Sequence, residues 1–188
     1  MEALLPPFIA AILAEWGDKT QLVVIALAVR YARPGPLLIG VALGALASGL
    51  FAGFAGTLVH GTVTLRALSL LLGVALIFAG AAGFIARKTP AYAATLAGPA
   101  TFAAALGVFL AEFGDRTQFV TFAFAAQYDS AFFPAFGAAA GVFAASVPAA
   151  LLGPKLHAAV PIRALRIGGG CLFLIAGVIV ALNALRLV

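Results

Sequence analysis

The chain has 188 residues and a net charge of +5, yet it is 64% hydrophobic and only 9% charged. Because soluble domains carry about 25% charged residues, this composition excludes a soluble enzyme or nucleic-acid-binding module and predicts an all-α integral membrane protein. The basic residues lie singly or in pairs between apolar segments. That placement is typical of lipid contacts and topology signals, and it argues against a nucleic-acid partner.

Six apolar segments follow in chain order. A transmembrane helix needs about 20 mainly apolar residues, so the sequence predicts six transmembrane helices and leaves no room for a separate extramembrane domain. Proline and glycine separate the segments, because proline lacks a backbone donor and glycine admits turn conformations. The segments lie near residues 4–30, 36–59, 67–86, 99–127, 132–153 and 164–186.

The first and fourth segments each carry an acidic heptapeptide near their centre. Residues 15–21 read EWGDKTQ and are called the first motif, and residues 112–118 read EFGDRTQ and are called the second motif. Together they hold four of the six Asp and Glu residues of the chain. A carboxylate that faces hydrocarbon costs roughly 2.5–3.5 kcal/mol, so four of them at this depth indicate a shared polar site that binds a cation.

The second half of the chain repeats the first. A shift of 97 positions, from 15 to 112, aligns the two motifs without a gap and also aligns His60 with His157. We interpret this as two three-helix repeats, residues 1–91 and 98–188, which together form one transmembrane domain. Because three crossings are an odd number, the second repeat must cross in the opposite sense. Such inverted-topology repeats are a common plan of secondary transporters, with the substrate site between repeats near the midplane.

The loop charges predict the orientation in the membrane. With six crossings most basic residues fall on one face, and the positive-inside rule places that face in the cytoplasm and both termini outside. The cytoplasmic face receives Arg30, Arg33, Arg87, Lys88, Lys155, Arg163 and Arg166, and the outer face receives Arg66 and Arg186.

The two motifs supply oxygen ligands for a metal ion. The two acids of each motif lie three residues apart and share a helix face, so a two-fold relation between the repeats brings four carboxylates together. The predicted metal ligands are Glu15, Asp18, Glu112 and Asp115, and further candidates are Thr20, Gln21, Thr117 and Gln118. Such oxygen sets suit Ca²⁺, Mn²⁺ or Mg²⁺, whereas the motifs contain no His or Cys for zinc or copper.

The remaining motif positions also have predicted roles. We expect Gly17 and Gly114 to break the helix and free carbonyl oxygens towards the site, which is tolerated at this depth where backbone lines a cavity. Lys19 and Arg116 lie one turn beyond the glutamate of their own motif. They are expected either to pair with that glutamate when no metal is bound or to extend towards an interface. A different interpretation of both motifs is a salt-bridge network that only holds the repeats together.

Proton exchange follows from the same residues. Four clustered carboxylates cannot all remain ionised without a cation, so the arrival of a metal ion is expected to expel protons. This linkage is the minimal chemistry of a cation/proton exchanger, and it needs no resident cofactor. The predicted partners are therefore a divalent ion, protons and the lipid bilayer.

The twin motifs resemble a known signature, a twice-occurring Glu-x-Gly-Asp-(Lys/Arg)-(Thr/Ser), which here reads EWGDKT and EFGDRT. In this the chain is similar to the MneA-type manganese exporters of bacteria and to the related Golgi and chloroplast calcium/manganese–proton antiporters. The resemblance implies no enzymatic activity but export of Mn²⁺, and in some members Ca²⁺, in exchange for protons. It also implies a multi-pass protein of the bacterial inner membrane, with the four motif acids at the site.

Two other functions are weighed against this one. The same site without conformational gating would make a divalent cation channel. An intramembrane aspartyl protease pairs Tyr-Asp with Gly-x-Gly-Asp, and Tyr128-Asp129 invites that comparison, but Glu stands here in place of the first glycine. The sequence leaves open the choice between Mn²⁺ and Ca²⁺, and also whether the chain works as a monomer or a homo-oligomer.

Overall fold

The computed structural model describes residues 2–186, and over that range the chain is helical with no β-strand. This confirms the predicted all-helical class. The helices are α1 (Leu5–Ala14), α2 (Lys19–Tyr31), α3 (Pro34–His60), α4 (Leu65–Gly83), α5 (Tyr92–Thr95), α6 (Ala100–Glu112), α7 (Arg116–Tyr128), α8 (Phe132–Leu152), α9 (Leu156–Ala159) and α10 (Ile162–Leu185).

Four of these elements are individually long and apolar enough to cross a membrane. They are α3, α4, α10 and the stretch that runs from the start of α8 to the end of α9, and α1 and α6 are shorter apolar helices. Many large apolar side chains are exposed on the outside of the bundle, among them Val29, Leu58, Leu65 and Ile175. Such a surface would be unstable in water and is suited to lipid.

The first and fourth predicted segments are each divided into two helices, where the sequence analysis marked one continuous segment. α1 is followed by α2, and α6 by α7, with a short non-helical turn between them. At each break a glycine, Gly17 or Gly114, has φ of +70°. This left-handed conformation is open to glycine and costly for other residues. Two short helices that were not predicted, α5 and α9, lie in the connections.

Small residues allow the helices of the two halves to pack closely and in a repeated pattern. A Cβ atom at Gly40 of α3 would overlap the carbonyl oxygen of Thr101 in α6, and one at Gly137 of α8 would overlap that of Leu4 beside α1. The two glycines are 97 positions apart, and so are Leu4 and Thr101, whose carbonyl groups they face. The contact of α3 with α6 is therefore repeated by the contact of α8 with α1.

Corresponding helices of the two halves run antiparallel to each other. Along α3, Gly49 lies against Ala135 of α8, whereas the later Gly53 lies against the earlier Ala131. The same reversal relates α4 and α10, which form the most extensive helix pair of the fold. The broken helices pack against α3 and α8, and the acids of both motifs are buried in the bundle.

Candidate functional site

The first motif forms a tight turn between α1 and α2. The Glu15 N–H donates to the carbonyl of Ala11 and so closes α1, and Asp18 has extended backbone angles and precedes the first residue of α2. Within the turn, the N–H of Gly17 donates to Oε1 of Gln21 over 3.0 Å. The break therefore places a glutamate at the carboxyl end of one helix and an aspartate at the amino end of the next.

The second motif has the same local structure. Glu112 is the last residue of α6, Asp115 has extended backbone angles before α7, and the Gly114 N–H donates to Oε1 of Gln118 over 2.8 Å. The amide oxygens of Gln21 and Gln118, predicted as further ligands, are thus engaged by the glycine N–H groups of their own turns. Here each glutamine stabilises the helix break.

The two motifs are joined by reciprocal hydrogen bonds. The Thr20 hydroxyl donates to Oε1 of Glu112 over 2.5 Å, and the Thr117 hydroxyl donates to Oε1 of Glu15 over 2.6 Å. Both glutamates are almost completely buried, and Oε2 of Glu15 has no hydrogen-bond partner within residues 2–186. A buried acceptor without a donor is costly, so this oxygen is available to a ligand that carries positive charge.

The motif cations also pair across the repeats. Nζ of Lys19 lies 2.8 Å from Oδ1 of Asp115, and Nε of Arg116 lies 3.2 Å from Oδ2 of Asp18. Arg116 additionally donates to the carbonyl of Ala14. Each cation therefore pairs with the aspartate of the other motif and not, as expected, with the glutamate of its own. That expectation placed each cation one helical turn beyond its glutamate, and the left-handed turn at the glycine moves the cation away from that position.

A third cation, which the sequence analysis assigned to a cytoplasmic loop, reaches the same aspartates. The Arg87 guanidinium donates from Nε to Oδ1 of Asp18 over 3.0 Å, and its Nη2 lies 3.9 Å from Oδ1 of Asp115. Arg87 has no matching cation in the second repeat, because a shift of 97 positions leads to Ala184. The only signal in the sequence was a count of charges, since the motifs hold four acids and two cations.

The surroundings of the two motifs differ. Gly17 is buried, and a Cβ atom there would lie 2.6 Å from Cγ2 of Ile162 in α10. Gly114 is exposed, and the same atom would meet nothing within 4 Å among the described residues. The second motif opens into a cleft of about 340 Å³, which is lined by Phe51, Ala52, Ala55, Phe78, Gly114, Asp115, Gln118, Phe119 and Phe122.

The structure brings the four predicted acids into one buried cluster, but not into a finished metal cage. Within residues 2–186, no group of three His, Cys, Asp or Glu side chains has an arrangement that would hold a metal ion. Instead, hydroxyl groups bind the glutamates and side-chain cations bind the aspartates. The cluster therefore consists of four carboxylates that are paired with hydroxyl groups and with side-chain cations.

Comparison with known proteins found a family model and a relative that are both named for cation transport. The family model described as "Divalent cation/proton antiporter GDT1" matches the chain twice, over residues 3–91 and 100–187. A "Putative manganese exporter" from Vibrio cholerae serotype O1 is 33% identical over 167 residues, which cover 87% of this chain and 82% of that protein. No solved structure matches the chain.

Proposed function

The chain belongs to the GDT1 family of divalent cation/proton antiporters, and on that basis we propose that it exports Mn²⁺ from the cytoplasm in exchange for protons. Ca²⁺ is the second candidate substrate. The family is one of membrane transporters and not of enzymes, so the aspartyl-protease alternative is wrong. We place the protein in the inner membrane of a bacterium, with both termini outside.

The observation that carries this proposal is the reciprocal pairing of two broken helices around buried acids. Transporters often form their midplane substrate sites from discontinuous helices, whose carboxyl ends bind cations. Glu15 and Glu112 lie at the carboxyl ends of α1 and α6, where the helix dipole adds negative potential. Each glutamate is held by a threonine of the other half, so a cation bound there contacts both halves at once.

We further propose that residues 1–91 and 98–188 are inverted-topology repeats. The antiparallel packing of α3 on α8 and of α4 on α10 supports this arrangement, as does the double match to one family model. In this scheme each broken pair, α1 with α2 and α6 with α7, makes one crossing. The chain then crosses the membrane six times, and the loop charges set its direction.

The donor chemistry limits the proposed substrate to hard divalent cations, and the relative favours Mn²⁺ among them. Carboxylate and hydroxyl oxygens suit hard divalent cations, and within this group they bind Mg²⁺, Ca²⁺ and Mn²⁺ with different geometries. The name of the Vibrio cholerae relative specifies manganese for that protein. We propose Glu15, Asp18, Glu112 and Asp115 as the ligands of the transported ion.

Exchange follows from competition for the same oxygen atoms. A divalent cation and protons cannot occupy the same carboxylate oxygens, so binding of one must release the other. The cleft beside Asp115 and the covered surface over Gly17 supply the other requirement, unequal access to the two motifs. We propose that the two motifs exchange the open and the covered arrangement during transport.

The test is flux in proteoliposomes with an imposed pH gradient, measured for Mn²⁺, Ca²⁺ and Mg²⁺. Mn²⁺ should accumulate against its own gradient on the side from which protons leave, and Asp18→Asn should show no flux. Mn²⁺ flux that is independent of the pH gradient would support a channel instead. Calorimetry in buffers of different ionisation enthalpy then counts the protons released, and a count of zero between about pH 6 and pH 8 would exclude exchange.

A further inference from the structure

Arg87 differs from the other cations of the site in the element that carries it. Lys19 and Arg116 are the first residues of α2 and α7, so their positions follow those helices. Arg87 lies in the non-helical segment between the end of α4 at Gly83 and the start of α5 at Tyr92. A side chain on such a segment can leave the site without unwinding a helix.

Burial separates Arg87 from Arg116 but not from Lys19, whose side chain is 28% exposed. The Arg116 side chain is only 3% exposed and also donates to the carbonyl of Ala14, so it is part of the packed interior. The Arg87 side chain is 25% exposed, although the Asp18 side chain that it contacts is 1% exposed. Arg87 therefore reaches from the surface to a buried carboxylate, and its guanidinium has a route back to solvent.

The position of the guanidinium overlaps with the proposed ligands. It contacts Asp18 of the first repeat over 3.0 Å and lies 3.9 Å from Asp115 of the second. A divalent cation that bound these two aspartates would face a like charge at contact distance, which is strongly unfavourable away from water. Removal of Arg87 without a replacement would equally leave buried carboxylates uncompensated. Guanidinium and metal ion can therefore replace each other but cannot both be bound.

We propose that Arg87 is a displaceable counter-ion of the transport site, which competes with the divalent cation for Asp18 and Asp115. The cation displaces the guanidinium on binding, and the returning guanidinium promotes release of the cation. This inference rests on the proposed function, because it needs a transported cation at these carboxylates. It assigns to Arg87 a role in setting affinity and release that is separate from that of the motif residues.

The first test is the affinity of the purified protein for Mn²⁺, compared between wild type, Arg87→Gln and Lys88→Gln. Lys88 is the next residue in the same segment and is exposed, so it controls for a general loss of positive charge. Arg87→Gln should bind Mn²⁺ about tenfold more tightly, within the usual range of coupling between competing sites. Lys88→Gln should match wild type. In proteoliposomes, Arg87→Gln should lower both the KM for Mn²⁺ and the maximal rate, because release becomes slow.

A second test uses the unmodified chain and does not depend on the folding of a variant. Butanedione modifies accessible arginine side chains, and mass spectrometry of peptides reports the rate at each position. Saturating Mn²⁺ should raise the modification rate of Arg87, because its guanidinium leaves the aspartates. Arg33, an exposed arginine elsewhere in the same protein, is the internal control, and its rate should not change.

The outcomes separate this inference from the proposed function. Wild-type protein that binds no divalent cation would overturn both. Wild-type binding that is lost in Asp18→Asn, with an unchanged or weaker affinity in Arg87→Gln, would overturn the role of Arg87 alone. An Arg87 modification rate that does not respond to Mn²⁺, or an equal gain of affinity in Lys88→Gln, would overturn it as well.

Discussion

The two motifs have nearly the same sequence and the same backbone turn, but they have different neighbours. In the first motif the glycine is covered by Ile162 of α10, and Gln21 is buried. In the second motif the glycine is exposed, and Gln118 borders the cleft between α3, α4 and α7. Two nearly identical motifs therefore lie in different surroundings, one covered by α10 and one beside a cleft.

This difference shows which parts of the duplicated unit follow the repeat and which do not. The hydrogen bonds Thr20–Glu112 and Thr117–Glu15 follow the repeat, because the two threonines are 97 positions apart and so are the two glutamates. The covering elements do not follow the repeat, since α4 packs extensively on α7, whereas the repeat-equivalent helices α10 and α2 make no comparable contact within residues 2–186. The hydrogen bonds between the motifs therefore follow the repeat, and the packing around the motifs does not.

The largest expected loss of transport comes from neutral substitutions of the four motif acids, which test whether both motifs form one site. Glu15→Gln, Asp18→Asn, Glu112→Gln and Asp115→Asn should each abolish Mn²⁺ transport in proteoliposomes, because a neutral isostere keeps the volume but removes charge that a divalent ion requires. Glu2→Gln, which changes an exposed acid outside the motifs, should transport normally. Near-normal flux in any two of the four motif variants would contradict a shared site.

The reciprocal threonine bonds provide the second test. Thr20→Val and Thr117→Val each leave a buried glutamate without its donor, which costs about 1–3 kcal/mol and corresponds to a loss of about 5–150-fold in transport efficiency. The two losses should agree closely, because the bonds are equivalent. Thr20→Ser and Thr117→Ser retain the hydroxyl and should restore flux. Two losses that differ by more than the range of repeated measurements would show that the motifs are not equivalent at the site.

Alanine substitutions at the two glycines distinguish backbone strain, which both positions share, from side-chain packing, which differs between them. Alanine in the left-handed conformation costs roughly 1–2 kcal/mol, so Gly17→Ala and Gly114→Ala should both lower the free energy of unfolding. Gly17→Ala should lower the free energy of unfolding by about 1–3 kcal/mol more than Gly114→Ala, because the new methyl group overpacks against Ile162. Reversible unfolding in mixed micelles measures both values. An equal loss of unfolding free energy at the two positions would contradict the closer packing around Gly17.

The smallest expected effect concerns a bond that the repeat does not conserve. Nε2 of Gln118 donates to the Ser48 hydroxyl, whereas Nε2 of Gln21 donates to the backbone carbonyl of Ala145. Ser48→Ala should therefore destabilise the protein by about 0.5–1.5 kcal/mol, whereas a side-chain change at Ala145 would leave the backbone acceptor of Gln21 in place.

Ser146→Ala is the matched control, because Ser146 is also a buried serine and its hydroxyl has no hydrogen-bond partner within the described part of the chain. This change should be neutral or slightly stabilising. A loss for Ser146→Ala as large as that for Ser48→Ala would show that the loss comes from packing and not from the bond to Gln118.

Much of the fold and the chemical nature of the site were accessible from the sequence, because the relevant signals are local. Hydropathy over about 20 residues identifies apolar helices, and the cost of a carboxylate in hydrocarbon makes Glu15 and Glu112 conspicuous. A shift of 97 positions relates the two motifs in the linear sequence. The positions of the helix breaks were accessible, since Gly17 and Gly114 were expected to break the helix, but the direction of the helix that follows each break was not.

The pairing of side chains was decided only by the tertiary structure. Lys19 was expected beside Glu15, but it lies against Asp115, because the turn at Gly17 reorients α2 and brings the second repeat close to it. Arg87 illustrates the same limit, since a loop arginine gives no sign in the sequence that it reaches a buried carboxylate. Composition and repetition determined that this protein has a twin acidic site within apolar helices. The relative placement of those helices determined which charges meet, because ion pairs form between groups that are close in space, whatever their separation along the chain.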